Sequence, residues 1–371
     1  MFDAFEADDL QQWGYAQATL KPLASRFEHA TSLPVVVVTG TTTGIGLHTA
    51  AMLAASGLFR VIATMRPSSL PTGEPRLREL VQRYTESGNT VTTTTTTRKV
   101  ASADALRVCA LDVTSEASWK ALATQLPGPE RRVDVLINNA GYGVSGSTEQ
   151  VTVEQAQQLF DTNVFGVMRG VQVLAPYMRA QSKRNQAQGL YTVLIQISSL
   201  AGLRAVPFSD LYSASKFALE GLTEAMRYSL EPFGIRCICV NPGPVRSAFS
   251  TRFGIASRDR GCRQIPDEDP LVKHKLDTMH DLFVRDLAER MASAEVGQSS
   301  AQVAVSIVQA VVDGLSLSEA PSLHYGTSPV VDETIRCLRT DPAARTSEPY
   351  RRFWDAVARA QKQATDTAGM P

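Results

Sequence analysis

Three residues in the middle of the chain have the types and spacing that proton transfer to a substrate oxygen requires. Tyr212 and Lys216 are four positions apart, so on a helix their side chains lie one turn apart on the same face. An ammonium group near a phenol favours the phenolate and lowers a tyrosine pKa that is normally about 10. Ser199 follows the apolar run at 191–197 and could meet Tyr212 at one substrate oxygen. A Tyr-x-x-x-Lys pair by itself is common, but the upstream serine favours an acid–base site built from these three residues.

A glycine-rich turn closer to the N-terminus is typical of nucleotide binding. The apolar run at 35–38 predicts a buried parallel strand, and the segment TGTTTGIG at 39–46 leads from it into a helix. Backbone amides at such a helix N-terminus receive a pyrophosphate. Gly40 allows the tight turn, Gly44 lets the backbone approach a phosphate, and Gly46 permits close packing of helix and strand. The spacing differs from Gly-x-Gly-x-x-Gly, so the position after the first strand is what favours a dinucleotide site over a structural turn.

The end of the second predicted strand indicates which dinucleotide binds. The strand at 59–65 ends at Arg66, which is followed by Pro67. A site for NAD usually places a carboxylate here to bind the ribose hydroxyls, and Met65 offers none. The guanidinium of Arg66 instead suits a 2′-phosphate through charge-assisted hydrogen bonds. The sequence therefore predicts NADP(H) as the cofactor, and a solvated surface arginine is the alternative.

Strands and helices alternate along most of the chain. The further predicted strands are 106–111, 133–137, 191–197 and 235–240, and the predicted helices are 47–56, 77–84, 154–178, 212–231 and 301–315. We expect an interruption near Asn163 in the helix at 154–178, and Thr114 as the N-cap of the helix after the third strand. This alternation predicts an α/β fold: a Rossmann-type doubly wound parallel sheet with helices on both faces and its ligand at the carboxyl ends of the strands.

We expect one domain with an extension at each end. Residues 1–33 are predicted to lie outside the main fold, with a short amphipathic helix at 11–27 that packs either on the body of the protein or on a partner, and residues 316–371 form a C-terminal extension. The Rossmann-fold domain covers 34–315. It includes a threonine-rich, low-complexity insertion at 85–103 and a charged segment at 248–297 that is typical of a lid over a substrate. His274 and His280 in this lid could contact a distal substrate hydroxyl, but a surface position is the simpler interpretation.

The composition is that of an ordinary soluble enzyme and argues against several other classes. Thirty-seven basic and thirty-seven acidic residues leave no net charge that would attract nucleic acid. The five cysteines lack the spacing of a zinc site or a disulfide framework, and Cys237 and Cys239 are expected to be buried thiols. No apolar run approaches the ~18–20 residues that a membrane span requires, and no signal or transit peptide is recognised. We expect a cytoplasmic protein, with peripheral membrane association left open.

Four motifs in one order identify the family that the chain resembles. They are TGTTTGIG at 39–46, NNAG at 138–141, YSASK at 212–216 and PGPVRS at 242–247. They are similar to the TGxxxGIG, NNAG, YxxxK and PGxVxT motifs of the short-chain dehydrogenase/reductase family, with serine in place of the last threonine. The likeness extends over nearly all of 34–315. Stretches such as ATMRP at 63–67 and EPFGI at 231–235 resemble the group of estradiol 17-beta-dehydrogenase and photoreceptor retinol dehydrogenase.

The resemblance implies a role for each matched residue. Tyr212 is the acid or base, and Lys216 lowers its pKa and binds the nicotinamide ribose. Ser199 binds the reacting oxygen, and Asn163 holds a water that connects Lys216 to solvent. No metal is required. The other residues that the resemblance assigns to the cofactor are Gly40, Thr43, Gly44, Ile45 and Gly46 for the phosphates, Asp112 and Val113 for the adenine, Asn139, Ala140 and Gly141 for the cleft, and Pro242, Gly243, Val245 and Ser247 for the nicotinamide.

The leading hypothesis is an NADP-dependent oxidoreductase that acts on a lipophilic alcohol or ketone, such as a steroid or a retinoid. A general carbonyl or 3-ketoacyl lipid reductase is the alternative enzyme. A nucleotide-binding regulator of the same fold is the non-enzymatic alternative, and the intact Ser199, Tyr212 and Lys216 argue against it. The family pairs the helices at 154–178 and 212–231 across a two-fold axis, so we also expect a homodimer.

Overall fold

The predicted apolar runs form the strands of one parallel sheet. A computed structural model describes residues 7–27, 32–87, 105–128, 131–247, 249, 270–293, 297–316 and 321–340. Its strands are β1 (Val35–Thr39), β2 (Arg60–Met65), β3 (Leu106–Ala110), β4 (Val135–Asn138), β5 (Thr192–Ile197), β6 (Ile235–Asn241), β7 (Val245–Arg246), β8 (Gln298–Ser299) and β9 (His324–Gly326). Seven of them pair in the order β3-β2-β1-β4-β5-β6-β9, and β7 pairs with β8. The doubly wound parallel sheet predicted from the sequence is confirmed.

The helices lie on both faces of this sheet. They are α1 (Ala7–Phe27), α2 (Gly44–Ala55), α3 (Leu70–Ser87), α4 (Glu116–Thr124), α5 (Val153–Phe160), α6 (Gly166–Gln186), α7 (Leu200–Leu203), α8 (Asp210–Leu230), α9 (Pro270–Ala292), α10 (Ser300–Ser316) and α11 (Pro329–Thr340). Strand β1 shows why the runs are continuously apolar. Val36 and Val38 pack in the cluster that holds α2 and α10, whereas Val35 and Val37 pack in the cluster that holds α4 and α6. Successive side chains of a strand point to opposite faces, so both sets must be apolar.

The strand order places a crevice between β1 and β4. Strands β2 and β3 follow β1 on one side of it, and β4, β5 and β6 continue on the other side. The connections after β1 and β4 therefore diverge, which opens a crevice at the carboxyl ends of these two strands. The glycine-rich turn follows β1 and the NNAG motif begins at the end of β4, so the fold brings both motifs to this crevice.

The N-terminal helix packs on the body of the protein, which is one of the two alternatives for this segment, and its buried side chains join the main core cluster. Helix α1 begins at Ala7 and buries Trp13, Leu20 and Leu23 almost completely. It packs along α10, and its Asp8 accepts a hydrogen bond from the Ser299 hydroxyl at 3.2 Å. Complete burial of a leucine side chain contributes about 1.5–3 kcal/mol, so this helix has the character of a core element.

Two local features differ in detail from the predictions. The interruption near Asn163 is a π-helical turn, Asp161–Phe165, between α5 and α6. The helix after β3 is capped by Ser115, whose side chain accepts from the Ser118 amide, and not by Thr114. The Thr114 hydroxyl instead donates to Asp112 at 2.7 Å, because the two side chains form a local turn that competes with capping.

Several predictions fall outside the described residues. They concern the threonine run, most of the insertion at 85–103, residues 248, 250–269 and 294–296 of the predicted lid, and residues 317–320 and 341–371 of the C-terminal extension. The described part of the lid is mainly helix α9. Within the described parts of the chain, no helix combines the length and the apolar character that crossing a membrane would take.

Candidate active site

One large cavity lies at the carboxyl ends of the strands. Its volume is about 1150 Å³. The predicted site residues that line it are Gly40, Thr43, Gly44, Ile45, Gly46, Arg66, Asp112, Val113, Asn139, Ala140, Gly141, Ser199, Tyr212, Lys216, Pro242, Gly243, Val245 and Ser247. Asn163 is the one predicted residue that does not line the cavity. Residues from distant parts of the sequence therefore meet in one space.

Ser199 and Tyr212 meet because a short helix and a long helix begin beside each other. Ser199 is the N-cap of α7, and its hydroxyl accepts a hydrogen bond from the Ala201 amide at 3.1 Å. Tyr212 lies in the first turn of α8, and its phenol is hydrogen-bonded to Ser199. Burial raises the pKa of Tyr212 to about 12, and the hydrogen bond with Ser199 opposes that rise. At neutral pH the phenol therefore holds its proton.

Burial sets the direction of the shift in the pKa of this tyrosine: the sequence predicts a lowered pKa beside Lys216, whereas in the structure the pKa is raised. The ammonium of Lys216 lies 5.8 Å from the centre of the Tyr212 ring and donates a hydrogen bond to the backbone oxygen of Ile197 at 2.8 Å. Burial lowers the pKa of Lys216 itself to about 8, while the charges of Glu220 and Cys239 act in the opposite direction. The buried surroundings outweigh the spacing of Tyr212 and Lys216, because desolvation disfavours the charged forms of both groups.

Asn163 does not line the cavity. Its side chain is hydrogen-bonded to the loop after β4. Asn163 is 2% exposed in the π-helical turn. Its side-chain oxygen accepts from the Tyr142 amide at 3.1 Å, and its side-chain amide donates to the Tyr142 carbonyl at 2.9 Å and to the Ser215 hydroxyl at 3.1 Å. These contacts join the loop, the π turn and α8. The water-holding role that the resemblance implies stays a prediction.

The glycine-rich turn has the tight backbone of a dinucleotide-binding turn. At two of its glycines a side chain would clash with neighbouring backbone atoms. Gly40 has a φ of 71°, and a Cβ atom on it would lie 2.8 Å from the Cα of Ala140. A Cβ on Gly46 would lie 2.5 Å from the Gly40 carbonyl oxygen. Gly44, with a φ of 63°, begins α2, so bare backbone amides open towards the cavity. A pyrophosphate binds to such a helix N-terminus.

The NNAG motif supports this turn from the neighbouring strand. The Asn139 side-chain amide donates to the carbonyl oxygens of Thr39 and Gly40, at 2.8 and 3.0 Å. The Thr39 hydroxyl in turn accepts from the backbone amides of Asn139 and Ala140. The side chain of Asn139 thus holds the ends of β1 and β4 together.

The end of the cavity beside β2 carries two arginines. Arg66 is exposed just after β2, and Arg76 projects from α3. Burial lowers the pKa of Arg76, and the charge of Glu79 opposes this. Sequence reasoning missed Arg76 because the helix was predicted to begin at residue 77, whereas it begins at Leu70.

The opposite end of the cavity is mainly apolar and is lined in part by helix α9, which belongs to the segment predicted as a lid. Phe249, Phe283, Leu287 and Met291 line it, and the last three come from α9. The expectation of a surface histidine was wrong for His280, which is buried. The side chain of His274 lies outside the described residues.

The side chain of His280 contacts residues outside α9 and so connects this helix to the rest of the protein. Its Nε2 lies 2.9 Å from the Ser145 hydroxyl, and its ring lies 5.3 Å from the ring of Phe208. Periodicity could not have revealed this contact, because Ser145 and His280 are far apart in the sequence.

The turn at 242–247 closes the cavity beside Ser199. The carbonyl oxygen of Pro242 accepts a hydrogen bond from the Leu200 amide at 2.8 Å. Val245 and Arg246 form β7, and its pairing with β8 anchors this turn to the start of α10. Ser247, which replaces the threonine of the family motif, is 5% exposed.

Two known enzymes are similar over most of the chain. Human retinol dehydrogenase 8 is 34% identical over 292 residues, which are 77% of this chain and 79% of that protein. Human 17-beta-hydroxysteroid dehydrogenase type 1 is 30% identical over 332 residues, which are 88% of each protein. These relatives belong to the group that the motifs indicated.

Solved structures share the fold. A short-chain dehydrogenase/reductase from Burkholderia phymatum in complex with NAD has a TM-score of 0.59 at 22% identity, covering 85% of this chain and 96% of its own. A single-site variant of actinorhodin polyketide ketoreductase with NADPH has a TM-score of 0.56 at 23% identity, covering 81% and 97%. Proteins of this fold thus bind either NAD or NADPH.

The family itself follows from the sequence model of the short chain dehydrogenases, which matches residues 34–255. That segment includes the glycine-rich turn, the NNAG motif, the Ser199–Tyr212–Lys216 centre and the turn over the end of β6. With the parallel sheet that brings these motifs to one cavity, the match shows that the chain belongs to the short-chain dehydrogenase/reductase family of oxidoreductases.

Proposed function

We propose that the protein is an NADP-dependent oxidoreductase that transfers a hydride between the nicotinamide and a lipophilic alcohol or ketone of steroid or retinoid type. The observation that carries this proposal is the polarity of the cavity. It runs from two arginines at one end, past Ser199 and Tyr212, to a wall that includes Phe249, Phe283 and Leu287. The names of the two human relatives agree with a lipophilic substrate.

The residues at the polar end suit the phosphorylated form of the cofactor. The amides at the start of α2 would hold the pyrophosphate, and Arg66 would bind the 2′-phosphate, with Arg76 beside it. Met65 is buried and offers no carboxylate to the ribose hydroxyls. When bound, the nicotinamide supplies the hydride, and the protein supplies position and charge.

The protonation state of Tyr212 suits the reduction of a ketone. A phenol whose pKa is raised to about 12 keeps its proton at neutral pH and can donate it to a carbonyl oxygen. Ser199, hydrogen-bonded to the same phenol, would bind that oxygen and fix its position. Lys216, buried one turn along α8, would bind the ribose and keep a positive charge near the developing phenolate.

The experiment that tests this function is a turnover assay of the purified full chain. NADPH or NADH is combined with a panel of steroid, retinoid, short aliphatic and 3-ketoacyl ketones, and its oxidation is followed by absorbance. We expect turnover with NADPH and bulky apolar ketones. Preference for the 3-ketoacyl compounds would favour the alternative enzyme, and absence of turnover with every ketone would contradict the enzymatic proposal.

The assembly and the location are part of the same proposal. Val153, Phe165 and Met168 are large apolar side chains exposed on α5, the π turn and α6. Tyr228 is exposed near the end of α8. These elements correspond to the helices that the family pairs, so we propose a two-fold homodimer. We also propose a cytoplasmic location.

A further inference from the structure

A buried carboxylate lies one turn beyond Lys216 on the same helix face. Glu220 is 9% exposed, and it takes no part in the proton transfer described above. Acidic side chains are almost never buried without partners, because desolvation of the charge is costly. The partners of Glu220 therefore indicate what it does.

The first partner connects Glu220 to the backbone of Ser199. The Asn241 side-chain amide donates to Glu220 Oε1 at 2.6 Å and to the Ser199 carbonyl oxygen at 3.3 Å. Asn241 is the last residue of β6 and precedes the turn at 242–247. One side-chain amide thus ties α8 to the backbone of Ser199 and to the start of the turn that closes the cavity.

The second partner comes from the edge strand of the sheet. Nδ1 of His324, on β9, lies 3.3 Å from Glu220 Oε2. Burial alone would raise the pKa of Glu220, but contacts with His324 and Ser198 outweigh it and hold that pKa below its ordinary value. Glu220 is therefore a carboxylate at neutral pH.

Lys216 lies one turn before Glu220 on the same face of α8, and both side chains are buried. The other titratable groups near its amine are Tyr212, on the same helix, and Cys239, on β6. Burial lowers the pKa of Lys216 to about 8, and the negative charge of Glu220 opposes this effect. The negative charge of Glu220 therefore favours the protonated form of Lys216.

We propose that Glu220 is a positioning residue of the active site: its charge keeps Lys216 a cation, and its hydrogen bond from Asn241 holds the Ser199 backbone in place. The proposal rests on the hydride-transfer function proposed above, but not on the choice between NADPH and NADH. One carboxylate oxygen of Glu220 accepts from Asn241 and the other lies beside His324, and the charge of this carboxylate is the property that glutamine lacks.

The test is the pH profile of kcat for the full chain and for Glu220→Gln. Glutamine can still accept the hydrogen bond from Asn241, but it carries no charge. Lys216 should then lose its proton at lower pH, so the fall of kcat on the alkaline side should move down by about one pH unit. The same shift is expected in the pH dependence of NADPH binding, followed by fluorescence, which requires no turnover. Profiles of the variant that coincide with those of the wild type would overturn the proposal.

Glu224→Gln is the matched control, because Glu224 is exposed on the same helix and loses the same charge. Its profile should stay that of the wild type. An equal shift in both variants would assign the effect to net charge and overturn the proposal. A wild-type protein that binds NADPH without turnover would contradict the proposed function alone, because the binding profiles still test Glu220.

A second variant keeps the proposal testable if Glu220→Gln does not fold. His324→Gln removes the partner that holds Glu220 ionised, so the pKa of Glu220 should rise. The carboxylate of Glu220 would then take up its proton at a higher pH. The acid limbs of the kcat profile and of the binding profile should therefore move to higher pH. Unchanged acid limbs in this variant would contradict the proposal.

Discussion

The ammonium of Lys216 donates a hydrogen bond to the backbone oxygen of Ile197 at 2.8 Å, so the lysine of helix α8 is joined to the end of strand β5. Ser199 follows two residues later on the same segment. The lysine therefore fixes the distance between the helix that carries Tyr212 and the segment that carries Ser199. The side chain of Lys216 is also buried, and this burial lowers the pKa of the lysine itself.

Turnover should decline as the pH rises through the pKa of Lys216. Burial lowers that pKa to about 8, so the cation is complete below this pH and is lost above it. We expect kcat for ketone reduction to fall above about pH 8 with the slope of a single proton. In Lys216→Arg, if it turns over, the fall should disappear, because arginine stays charged. An identical alkaline limb in both proteins would contradict the assignment.

Replacing Tyr212 by phenylalanine should remove the proton donor while keeping the ring. General acid–base catalysis contributes typically ~10²–10⁴-fold, so turnover should fall by at least that range. NADPH binding, measured by fluorescence titration, should persist. A variant that keeps more than about a tenth of wild-type turnover would show that Tyr212 is not the acid.

Arg66 should distinguish NADPH from NADH. A hydrogen bond to a charged group contributes roughly 1.5–3 kcal/mol net, which is about 10- to 150-fold in affinity. Arg66→Ala should therefore weaken NADPH by something in that range and leave NADH nearly unchanged. Arg78→Ala is the control, because Arg78 is exposed on α3, is paired with Glu74 and does not line the cavity. Equal wild-type affinities for the two cofactors would refute the assignment.

The apolar side chains exposed on the π turn and α6 should mediate dimerisation. We expect a dimer of the wild type in sedimentation velocity at micromolar concentration. Phe165→Glu, which places a charge at the centre of this surface, should shift the protein to monomer. Tyr15→Glu, an exposed aromatic position on α1 away from these helices, should remain dimeric. A wild type that sediments only as monomer would contradict the homodimer.

Helix α1 should contribute to the stability of the whole fold. Leu20 is completely buried, and Leu→Ala changes at such sites typically cost about 2–5 kcal/mol. Leu20→Ala should lower the free energy of unfolding in urea by that amount, whereas Leu10→Ala, at a position that is 40% exposed, should change it by less than about 0.5 kcal/mol. Similar losses in both variants would show that α1 is not part of the cooperative core.

Local pattern was enough to predict the sheet and the phosphate-binding turn. The run in β1 is continuously apolar and those in β5 and β6 are largely apolar, because each strand is buried on both faces, and this leaves a signal in adjacent residues. Gly40 and Gly44 adopt a positive φ, which residues with a side chain rarely do, so their identities mark the turn. Tyr212 and Lys216 share a face of α8 through helix geometry alone.

The sequence by itself thus determined the fold, the family and the motif residues that line the cavity, since each of these leaves a pattern in neighbouring residues along the chain. Tertiary structure alone decided that α1 joins the core, that Arg76 reaches the cavity and that Glu220 meets Asn241 and His324. It also reversed the predicted shift in the pKa of Tyr212. The physical reason is that burial and charge act through space, and the groups that cause them come from segments that are distant in the sequence.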